Sequence, residues 1–433
     1  MRKILFCLLA MALVMPLTAQ IRGNNIVVTV EPDHQDWNYA AGQTCTMQVE
    51  VRRSGTLVPD VAIDYEAGPE MYPTEKQSLT LKDGTMRHRG KMSTPGFYRL
   101  KVTAHVDGRD YVGLCTAAYA PEQLRPTTVD PQDFDAFWSR AIEEARWTQL
   151  EPTKTLLPER STKDVNVYEV SFQNVRWGSR TYGILCEPVK PGRYPALLRV
   201  PGAGVRPYQG DVWTAAQGAI TLEIGIHGIS VTQPQEIYDR LASGALNGYP
   251  NYGMDDRDQS YYKRVVIGCI RAIDYIEQFT QWDGEHLGVT GSSQGGFLSL
   301  ATAALDKRVT CYGAVHAAMC DHTASLRGIA CGWPHYFYKN EKIKEFNNDN
   351  NARVVTSRYY DGVNFARRIK CPGWFSFGYN DDVVPPTTAY ATYNVVTAPK
   401  ELSVYQQTGH YWYQEQWDEW TAWLYKQLGI KRP

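Results

Sequence analysis

The stretch Leu287-Gly-Val-Thr-Gly-Ser-Ser293-Gln-Gly-Gly296 decides how the second half of this chain folds. A short apolar run, typical of a buried strand, enters a turn with the pattern Gly-x-Ser-x-Gly, and a helix of small and apolar residues follows. In this strand–turn–helix context a serine is held at the carboxyl edge of a parallel sheet. The pattern therefore predicts Ser293 as a nucleophile, with the N–H of Gln294 facing the position of an oxyanion.

Strand-like and helical patterns alternate around this turn. The strand-like runs are residues 196–200, 219–226, 287–290, 309–315, 373–377 and 401–405. The helical runs are residues 261–279, 295–305, 358–369, 387–396 and 415–428. This alternation predicts an α/β fold with a mostly parallel sheet covered by helices on both faces. Residues 230–260 and 321–351 interrupt the alternation, and insertions of this length usually cover a functional site.

The first part of the chain has an all-β pattern. Short strand-like runs at residues 25–30, 45–51, 61–65, 78–81, 96–105 and 110–118 are separated by turn-forming residues. About six such strands predict an immunoglobulin-like β-sandwich over residues 20–120. A proline-containing linker, residues 121–131, leads into a helix predicted to end near Trp147. We therefore expect a sandwich domain followed by an α/β-hydrolase domain over residues 121–433.

A catalytic serine needs a base, and in the α/β-hydrolase fold the chain order is serine, acid, histidine. The histidines that follow Ser293 are His316, His322, His335 and His410. The acid should follow a late strand, and residues 373–377 lead into a polar turn that contains Asp381 and Asp382. His410 is the histidine that lies beyond this turn. We predict His410 as the general base and Asp381 as the residue that orients it, with Asp382 as the nearest competitor.

A second oxyanion donor should come from the loop after an early central strand. Residues 196–200 are followed by Pro201-Gly-Ala203-Gly, where small residues allow the backbone to approach a substrate carbonyl. The N–H of Ala203 is the predicted donor, and that of Gly202 is the alternative. His227 ends the next strand, and we interpret it as a structural histidine.

Composition and charge exclude several classes of protein. The 433 residues carry 45 Lys and Arg against 46 Asp and Glu, which gives a formal net charge of −1. The chain therefore has no basic excess to bind a nucleic-acid backbone. No cysteine pair has the spacing of a zinc or iron–sulfur site. Cys45 and Cys115 could form a disulfide, or all the cysteines after residue 19 could be buried free thiols.

Residues 1–19 have the pattern of a signal peptide. Arg2 and Lys3 precede an apolar run of about eleven residues, which is too short to span a bilayer, and Ala19 offers a small residue for cleavage. No later apolar run is long enough to form a membrane span. We expect an exported protein, periplasmic or extracellular after cleavage.

Several motifs resemble those of the acetyl xylan esterase and cephalosporin-C deacetylase family, carbohydrate esterase family seven. They are Asp133-Phe-Asp-Ala-Phe-Trp138, Tyr261-Tyr-Lys-Arg-Val265, Gly291-Ser-Ser-Gln-Gly-Gly296, Gly378-Tyr-Asn-Asp381, Pro385-Pro-Thr387, Ala391-Thr-Tyr-Asn394 and Ala398-Pro-Lys-Glu401. The resemblance covers about residues 130–430, so the sandwich is an additional domain. It implies Asp381 rather than Asp382 as the acid, because the family's Asp stands four residues before the Pro-Pro pair. It also implies that the second oxyanion donor falls on Ala203.

Two positions depart from the family pattern. The chain has Ile226-His-Gly-Ile229 where the family carries Arg-Gly-Gln-Gly, and Tyr411 where a Glu usually follows the catalytic histidine. Neither change removes a predicted catalytic residue. The first lies near the parts of the fold that form oligomers, so the resemblance allows a homo-oligomer with altered packing.

Together these features predict a serine esterase that needs no metal or organic cofactor. The expected substrates are acetylated xylan, xylo-oligosaccharides or another acetyl ester such as cephalosporin C. Three alternatives stay open: an esterase for feruloyl or other larger acyl groups, a serine peptidase of the prolyl oligopeptidase type, and a polysaccharide-binding protein with a degenerate hydrolase domain.

Overall fold

The computed structural model describes residues 25–339 and 350–431. The predicted signal peptide, residues 1–19, lies outside the described residues, as do residues 340–349 of the second insertion. Within the two described ranges, no helix combines the length and the hydropathy that crossing a bilayer requires.

The N-terminal region consists of two β-sheets packed face to face. One sheet contains β1 (Ile26–Pro32), β3 (Thr44–Arg53), β4 (Thr56–Leu57) and β7 (Thr85–Lys91). The other, in the order β2-β9-β8-β5-β6, contains β2 (Asn38–Tyr39), β5 (Val61–Pro69), β6 (Glu75–Leu81), β8 (Gly96–Val106) and β9 (Arg109–Tyr119). Alternate side chains of β3 and β8, including Val49 and Leu100, are buried in one shared core. The prediction of an all-β N-terminal region is confirmed.

Strand β7 is the longest strand of this region that the sequence pattern does not predict; the others, β2 and β4, have two residues each. Its sequence, Thr-Met-Arg-His-Arg-Gly-Lys, is rich in basic residues, and only His88 and Gly90 are buried. The strand exists because it pairs along Thr44–Glu50 of β3. Backbone pairing of this kind leaves no apolar alternation for sequence analysis to detect.

The second region contains one large sheet in the order β10-β11-β12-β14-β13-β15-β16-β17-β18. Its strands are β10 (Thr153–Leu156), β11 (Val165–Gln173), β12 (Arg180–Pro188), β13 (Tyr194–Arg199), β14 (Ile220–Ile224), β15 (Trp282–Ser292), β16 (Cys311–Val315), β17 (Gly373–Phe377) and β18 (Lys400–Val404). The pairs from β14 to β18 are parallel, whereas β10, β11 and β12 pair antiparallel. The predicted α/β architecture is therefore confirmed.

Helices cover both faces of this sheet. They are α1 (Phe134–Arg146), α2 (Val212–Ala216), α3 (Gln235–Ser243), α4 (Tyr261–Ile276), α5 (Gln294–Leu305), α6 (Ala352–Tyr359), α7 (Gly362–Ala366), α8 (Pro386–Val395) and α9 (Gln414–Gln427). Ile273 of α4 and Leu298 of α5 belong to the core on one face. Trp420 and Leu424 of α9 pack with Leu197 in a separate core on the other.

The single helix predicted over residues 358–369 is wrong, because the chain forms the two short helices α6 and α7 instead. Asp361 lies between them, and its side chain accepts a hydrogen bond from Val363 N at 3.0 Å as the N-cap of α7. The same carboxylate also accepts from the backbone N–H groups of Asp321 and His322, both at 2.9 Å. These tertiary bonds interrupt the helix where the apolar pattern continues.

The sandwich packs directly on the hydrolase region. Phe377 and Tyr379, at the end of β17, and Tyr390 of α8 belong to the same hydrophobic core as the sandwich. The ring of Phe97 from β8 lies 5.1 Å from that of Tyr379, centroid to centroid. The two regions are thus joined by a shared core as well as by the linker.

The cysteines from Cys45 to Cys371 are free thiols in the structure. Of the two alternatives that the sequence left open, the structure therefore has free thiols and no Cys45–Cys115 disulfide, and all of these thiols except the partly buried Cys371 are buried. Burial raises the pKa of the Cys45 thiol to about 11, which keeps it protonated at neutral pH.

Candidate active site

Ser293 occupies the turn between β15 and α5, at the carboxyl end of the parallel strands. Its backbone has φ 61° and ψ −123°, a conformation that is strained for a residue with a Cβ. Neighbouring main chain holds the turn: Ser293 N donates to the carbonyl of Val315 at 2.9 Å, and Ala318 N donates to the carbonyl of Ser293 at 3.0 Å. The turn is therefore fixed by β16 and the residues that follow it.

The glycines of the turn are needed for close packing rather than for their φ angles. A Cβ on Gly291 would lie 2.4 Å from the carbonyl oxygen of Val200 and 2.7 Å from Gly295 Cα. A Cβ on Gly295 would meet the same oxygen at 2.4 Å. The glycines on either side of Ser293 are therefore needed because the backbone at the end of β13 approaches the turn so closely.

Asp381 follows β17 and is fully buried. Its Oδ1 accepts hydrogen bonds from Val383 N at 2.9 Å and Val384 N at 2.8 Å. Burial alone would raise the pKa of Asp381, but the imidazoles of His316 and His410 outweigh burial and hold that pKa well below its usual value. Asp381 is therefore a carboxylate at neutral pH.

His410 lies after β18, and its Nδ1 is 2.8 Å from Asp381 Oδ2. A carboxylate oxygen accepts hydrogen bonds but cannot donate them, so Nδ1 carries the hydrogen and Nε2 is the basic nitrogen. The side chain is 24% exposed, which leaves it accessible from solvent. By contrast, Asp382 is exposed, and the bond to His410 comes from its neighbour Asp381.

The structure also brings His316 to this site, which sequence analysis did not assign there. Its Nδ1 lies 3.4 Å from Asp381 Oδ2, and its ring centroid lies 5.1 Å from that of His410. The side chain is 1% exposed, and burial lowers the pKa of His316 below 6.5. Chain order excludes His316 as the base because it precedes the acid. The available signal was that His316 directly follows β16, a strand that lies between β15 and β17 in the sheet, and therefore reaches the same sheet edge.

His316, Asp381 and His410 are the residues of the described chain whose ligand atoms are grouped closely enough to hold a metal ion, all within 4.8 Å of one another. Two imidazoles and a carboxylate form a ligand set that zinc accepts. Here, however, Asp381 Oδ2 and His410 Nδ1 already bond to each other. The arrangement therefore favours proton transfer through His410.

The loop after β13 has each of its four carbonyls held by a side chain. Gln294 Nε2 donates to the Pro201 carbonyl at 3.2 Å. The two terminal nitrogens of Arg206 donate to the next two carbonyls, Nη2 to Gly202 at 3.4 Å and Nη1 to Ala203 at 2.7 Å. His227 Nε2 donates to the Gly204 carbonyl at 3.0 Å. A trans peptide places each carbonyl and the next N–H on opposite sides. The N–H of Ala203 therefore points away from Arg206. Because a Cβ on Gly202 would lie 4.0 Å from Ser293 Cβ, this loop runs beside Ser293.

The side chain of Gln294 links the two halves of the predicted oxyanion site. It is fully buried, and its Oε1 accepts from the hydroxyls of Tyr249 at 2.7 Å and Tyr262 at 2.8 Å. Its Nε2 donates to the Pro201 carbonyl, so the residue after Ser293 also holds the neighbouring loop. The backbone N–H of Gln294 is at the first position of α5, where no partner exists within the helix.

His227 anchors the far end of the same loop. Its Nε2 donates to the Gly204 carbonyl, and its Nδ1 lies 2.7 Å from the hydroxyl of Tyr261. Burial lowers the pKa of His227 to about 4, so the ring is neutral at pH 7, with Nδ1 free to accept from Tyr261. The interpretation of His227 as structural agrees with these bonds, and the element that it supports is the loop of residues 201–204.

The two insertions contact each other near this site. Tyr249 of the first insertion reaches Gln294, and the Tyr336 hydroxyl of the second donates to the Pro250 carbonyl at 2.7 Å. Phe337 instead packs with Val354 in a small separate core. Tyr338 donates to the carbonyl of Met71 in the sandwich at 3.0 Å. The second insertion therefore bridges the two regions of the protein.

Comparison with known proteins identifies the family. Residues 121–427 match the model of the acetyl xylan esterases. The chain belongs to the acetyl xylan esterase family. It is also 38% identical to the acetyl esterase Axe7A of Xylanibacter ruminicola over 439 aligned positions, which cover 99% of this chain and 97% of that protein. The resemblance seen in the sequence motifs is confirmed, and so is the classification of the protein as a carboxylic ester hydrolase.

Solved structures of acetyl xylan esterases share the fold of the hydrolase region. The enzyme from Paenibacillus sp. R4 superposes with a TM-score of 0.62 at 27% identity, covering 71% of this chain and 98% of that one. Acetyl xylan esterase 1 from Thermoanaerobacterium sp. JW/SL YS485 has a TM-score of 0.60 at 24% identity, covering 71% and 97%. The predicted α/β-hydrolase fold is confirmed.

Proposed function

We propose that this protein is an exported serine esterase that removes acetyl groups from acetylated xylan or xylo-oligosaccharides. The observation that carries the proposal is the 2.8 Å bond between His410 Nδ1 and Asp381 Oδ2, at the sheet edge where Ser293 occupies its strained turn. A serine on such a turn, with a histidine oriented by a buried carboxylate, is the arrangement used for acyl transfer.

The proposed reaction has two halves. His410 Nε2 takes the proton from Ser293 Oγ as that oxygen attacks the ester carbonyl, and the N–H groups of Gln294 and Ala203 stabilise the oxyanion. The protonated imidazole then gives its proton to the leaving sugar alkoxide, which leaves an acetylated serine. Water repeats the sequence: His410 removes its proton, the hydroxide adds to the acyl group, and acetate departs as Ser293 recovers its proton.

Asp381 has two functions in this scheme. Its hydrogen bond keeps the proton of His410 on Nδ1, and its negative charge stabilises the imidazolium that forms in each half-reaction. The low pKa of Asp381 keeps it ionised throughout. His227 and Arg206 are positioning residues in this scheme, since they hold the carbonyls of the loop that carries Ala203.

The relatives support an acetyl ester as the substrate. Axe7A is an acetyl esterase, and it aligns with almost the whole of this chain. The Paenibacillus structure is that of an acetyl xylan esterase. The sandwich in front of the hydrolase region, two small sheets, gives no support to a prolyl oligopeptidase type of peptidase, which would carry a β-propeller.

The acyl pocket should be small. We expect Trp333, which is partly buried against the core of the hydrolase region, to narrow it, whereas Tyr336, Phe337 and Tyr338 pack elsewhere. Overpacking a rigid site costs about 1–3 kcal/mol, or roughly ten- to a hundredfold in rate. We therefore expect kcat/KM on p-nitrophenyl esters to fall from acetate to butyrate and to nearly vanish at octanoate. In a parallel assay, the enzyme should release acetate from acetylated xylo-oligosaccharides.

A feruloyl ester, assayed at the same enzyme concentration, is the matched comparison for this series of p-nitrophenyl esters. A flat or rising profile with acyl length would show an open acyl channel. Together with faster turnover of the feruloyl ester, it would replace the acetyl proposal with that of an esterase for larger acyl groups.

Export is the second part of the proposal and depends on residues 1–19 alone. Expression of the full chain in a Gram-negative host, followed by cell fractionation, should recover the protein in the periplasm or medium. N-terminal sequencing should then begin at Gln20, because cleavage follows the small residue Ala19. Recovery of the uncleaved chain in the cytoplasm would contradict this part and leave the esterase assignment unaffected.

A further inference from the structure

Arg99 of the sandwich reaches the loop that carries Asp381. It belongs to β8, and its Nη2 donates to the carbonyls of Tyr379 at 3.0 Å and Asp381 at 2.8 Å. Its Nε donates to Thr116 Oγ1 at 2.9 Å on the neighbouring strand β9. The side chain is 12% exposed, so these are mostly buried, charge-assisted hydrogen bonds. A rigid sheet of the sandwich therefore holds the main chain on both sides of Asn380.

Glu70 of the sandwich holds the other end of the same segment. Its Oε1 accepts a hydrogen bond from Thr387 N at 3.0 Å, in the first turn of α8. Its Oε2 lies 3.6 Å from Arg99 Nη2. The side chain is 1% exposed, so Arg99 and Glu70 form a buried pair that spans the start and end of residues 379–387. Asp381 lies within this segment.

Two more bonds join the sandwich to the acid loop. The Tyr379 hydroxyl donates to Asn38 Oδ1 at 2.9 Å, and Asn380 Nδ2 donates to the carbonyl of Leu114 at 3.0 Å. With the bond from Arg99 to the Asp381 carbonyl, each of the three residues from Tyr379 to Asp381 contacts the sandwich through a hydrogen bond. The sandwich lies outside residues 121–427, which match the family model.

We propose that Arg99 and Glu70 are positioning residues for catalysis, through which the N-terminal sandwich sets the place of the Asp381 carboxylate against His410. The inference rests on the proposed function, in which Asp381 orients His410. The physical reason is geometric: a misplacement of about 1 Å in a catalytic group can cost about a hundredfold in rate. Charge-assisted bonds are about twice as strong as neutral ones, so the bonds from Arg99 fix the main chain of the acid loop in addition to those that Val383 N and Val384 N make to the Asp381 carboxylate.

The test compares Arg99→Met, Arg99→Lys and the matched control Arg87→Met. Arg87 is an exposed arginine of the sandwich that hydrogen-bonds to Gln48 on the adjacent strand. Each variant is assayed for kcat and KM on an acetyl ester, for the rate at which a fluorophosphonate labels the active serine, and for its thermal unfolding midpoint. The labelling rate reports activation of Ser293 without any acetyl substrate.

We expect Arg99→Met to lower kcat and the labelling rate together by about 10- to 100-fold, with KM changed less than about threefold. The acidic limb of its pH–rate profile should move to lower pH, because a displaced carboxylate stabilises the protonated imidazole less. Arg99→Lys should recover part of the loss, since an ammonium can reach one carbonyl but lacks the guanidinium fork. Arg87→Met should behave as wild type.

A folded Arg99→Met with wild-type labelling rate, kcat and pH profile would overturn the inference, as would equal losses in Arg87→Met. If Arg99→Met does not fold, Glu70→Gln decides, because the amide oxygen keeps the bond to Thr387 N while an NH2 group replaces the carboxylate oxygen that faces Arg99. We expect Glu70→Gln to lower the labelling rate about three- to tenfold, and an unchanged rate would again overturn the inference.

A wild type that is labelled but inert on acetyl esters would contradict the substrate assignment alone. A wild type that is not labelled would contradict both proposals.

Discussion

Ser293→Ala should fold like the wild type and lose at least about 10⁴-fold in kcat on acetyl esters. Removing Oγ removes the covalent path, and residual rates after loss of a catalytic nucleophile come from the oxyanion donors and binding alone. Folding should survive because the turn is held by main-chain bonds to Val315 and Ala318, which alanine keeps. The measurement is kcat from initial rates, with circular dichroism and thermal unfolding as checks on the fold.

Ser292→Ala is the matched control, since it removes a hydroxyl from the neighbouring residue of the same turn. We expect it to retain most of the activity and to be labelled by a fluorophosphonate, whereas Ser293→Ala should not be labelled. A folded Ser293→Ala enzyme that keeps more than about a tenth of the wild-type rate would show that another residue is the nucleophile.

Asp381→Asn should lower kcat by about 10³- to 10⁴-fold, while Asp382→Asn should change it by less than about tenfold. An asparagine amide can donate to His410 Nδ1, which would place the proton on Nε2 and leave no base for Ser293. Asp382 is exposed and its neighbour makes the bond to His410, so its charge is screened by solvent. Steady-state rates for the two purified variants decide between the two carboxylates.

The loss of the Asp381 carboxylate should also change how the free energy of unfolding depends on pH. Because the pKa of Asp381 is lower in the folded protein than in the unfolded chain, its carboxylate stabilises the native state above the ordinary Asp pKa near 3.8. That contribution is lost as pH falls below this value toward the folded-state pKa. The advantage of wild type over Asp381→Asn in unfolding free energy should therefore be larger at pH 7 than at pH 3. For the turnover measurement, a lower kcat in Asp382→Asn than in Asp381→Asn would show that Asp382, and not Asp381, is the residue that orients His410.

Local sequence was sufficient to locate the turn of Ser293, the proposed nucleophile, and to predict most of the hydrolase sheet. The tight turn around Ser293 requires glycines at Gly291 and Gly295, and a buried strand and helix on either side leave a strong apolar signature. Chain order then reduced four histidines to His410, because strands in a parallel sheet end at one edge. The same reasoning failed where the apolar pattern does not mark the structure. Strand β7 is rich in basic residues, and Asp361 interrupts a helix that the apolar pattern predicts to continue.

The sequence by itself determined the family, the fold class and the identities of the residues proposed for catalysis, since these depend on local motifs and on the order of strands, helices and motifs along the chain. Only the tertiary structure showed that His316 lies against Asp381, that His227 holds the loop of Ala203, and that the sandwich reaches the acid loop. Arg99 and Asp381 are separated by 282 positions, and Glu70 and Thr387 by 317. Contacts at such separations leave no periodicity in either segment, because each partner is an ordinary polar residue until folding buries the pair and makes the hydrogen bonds obligatory.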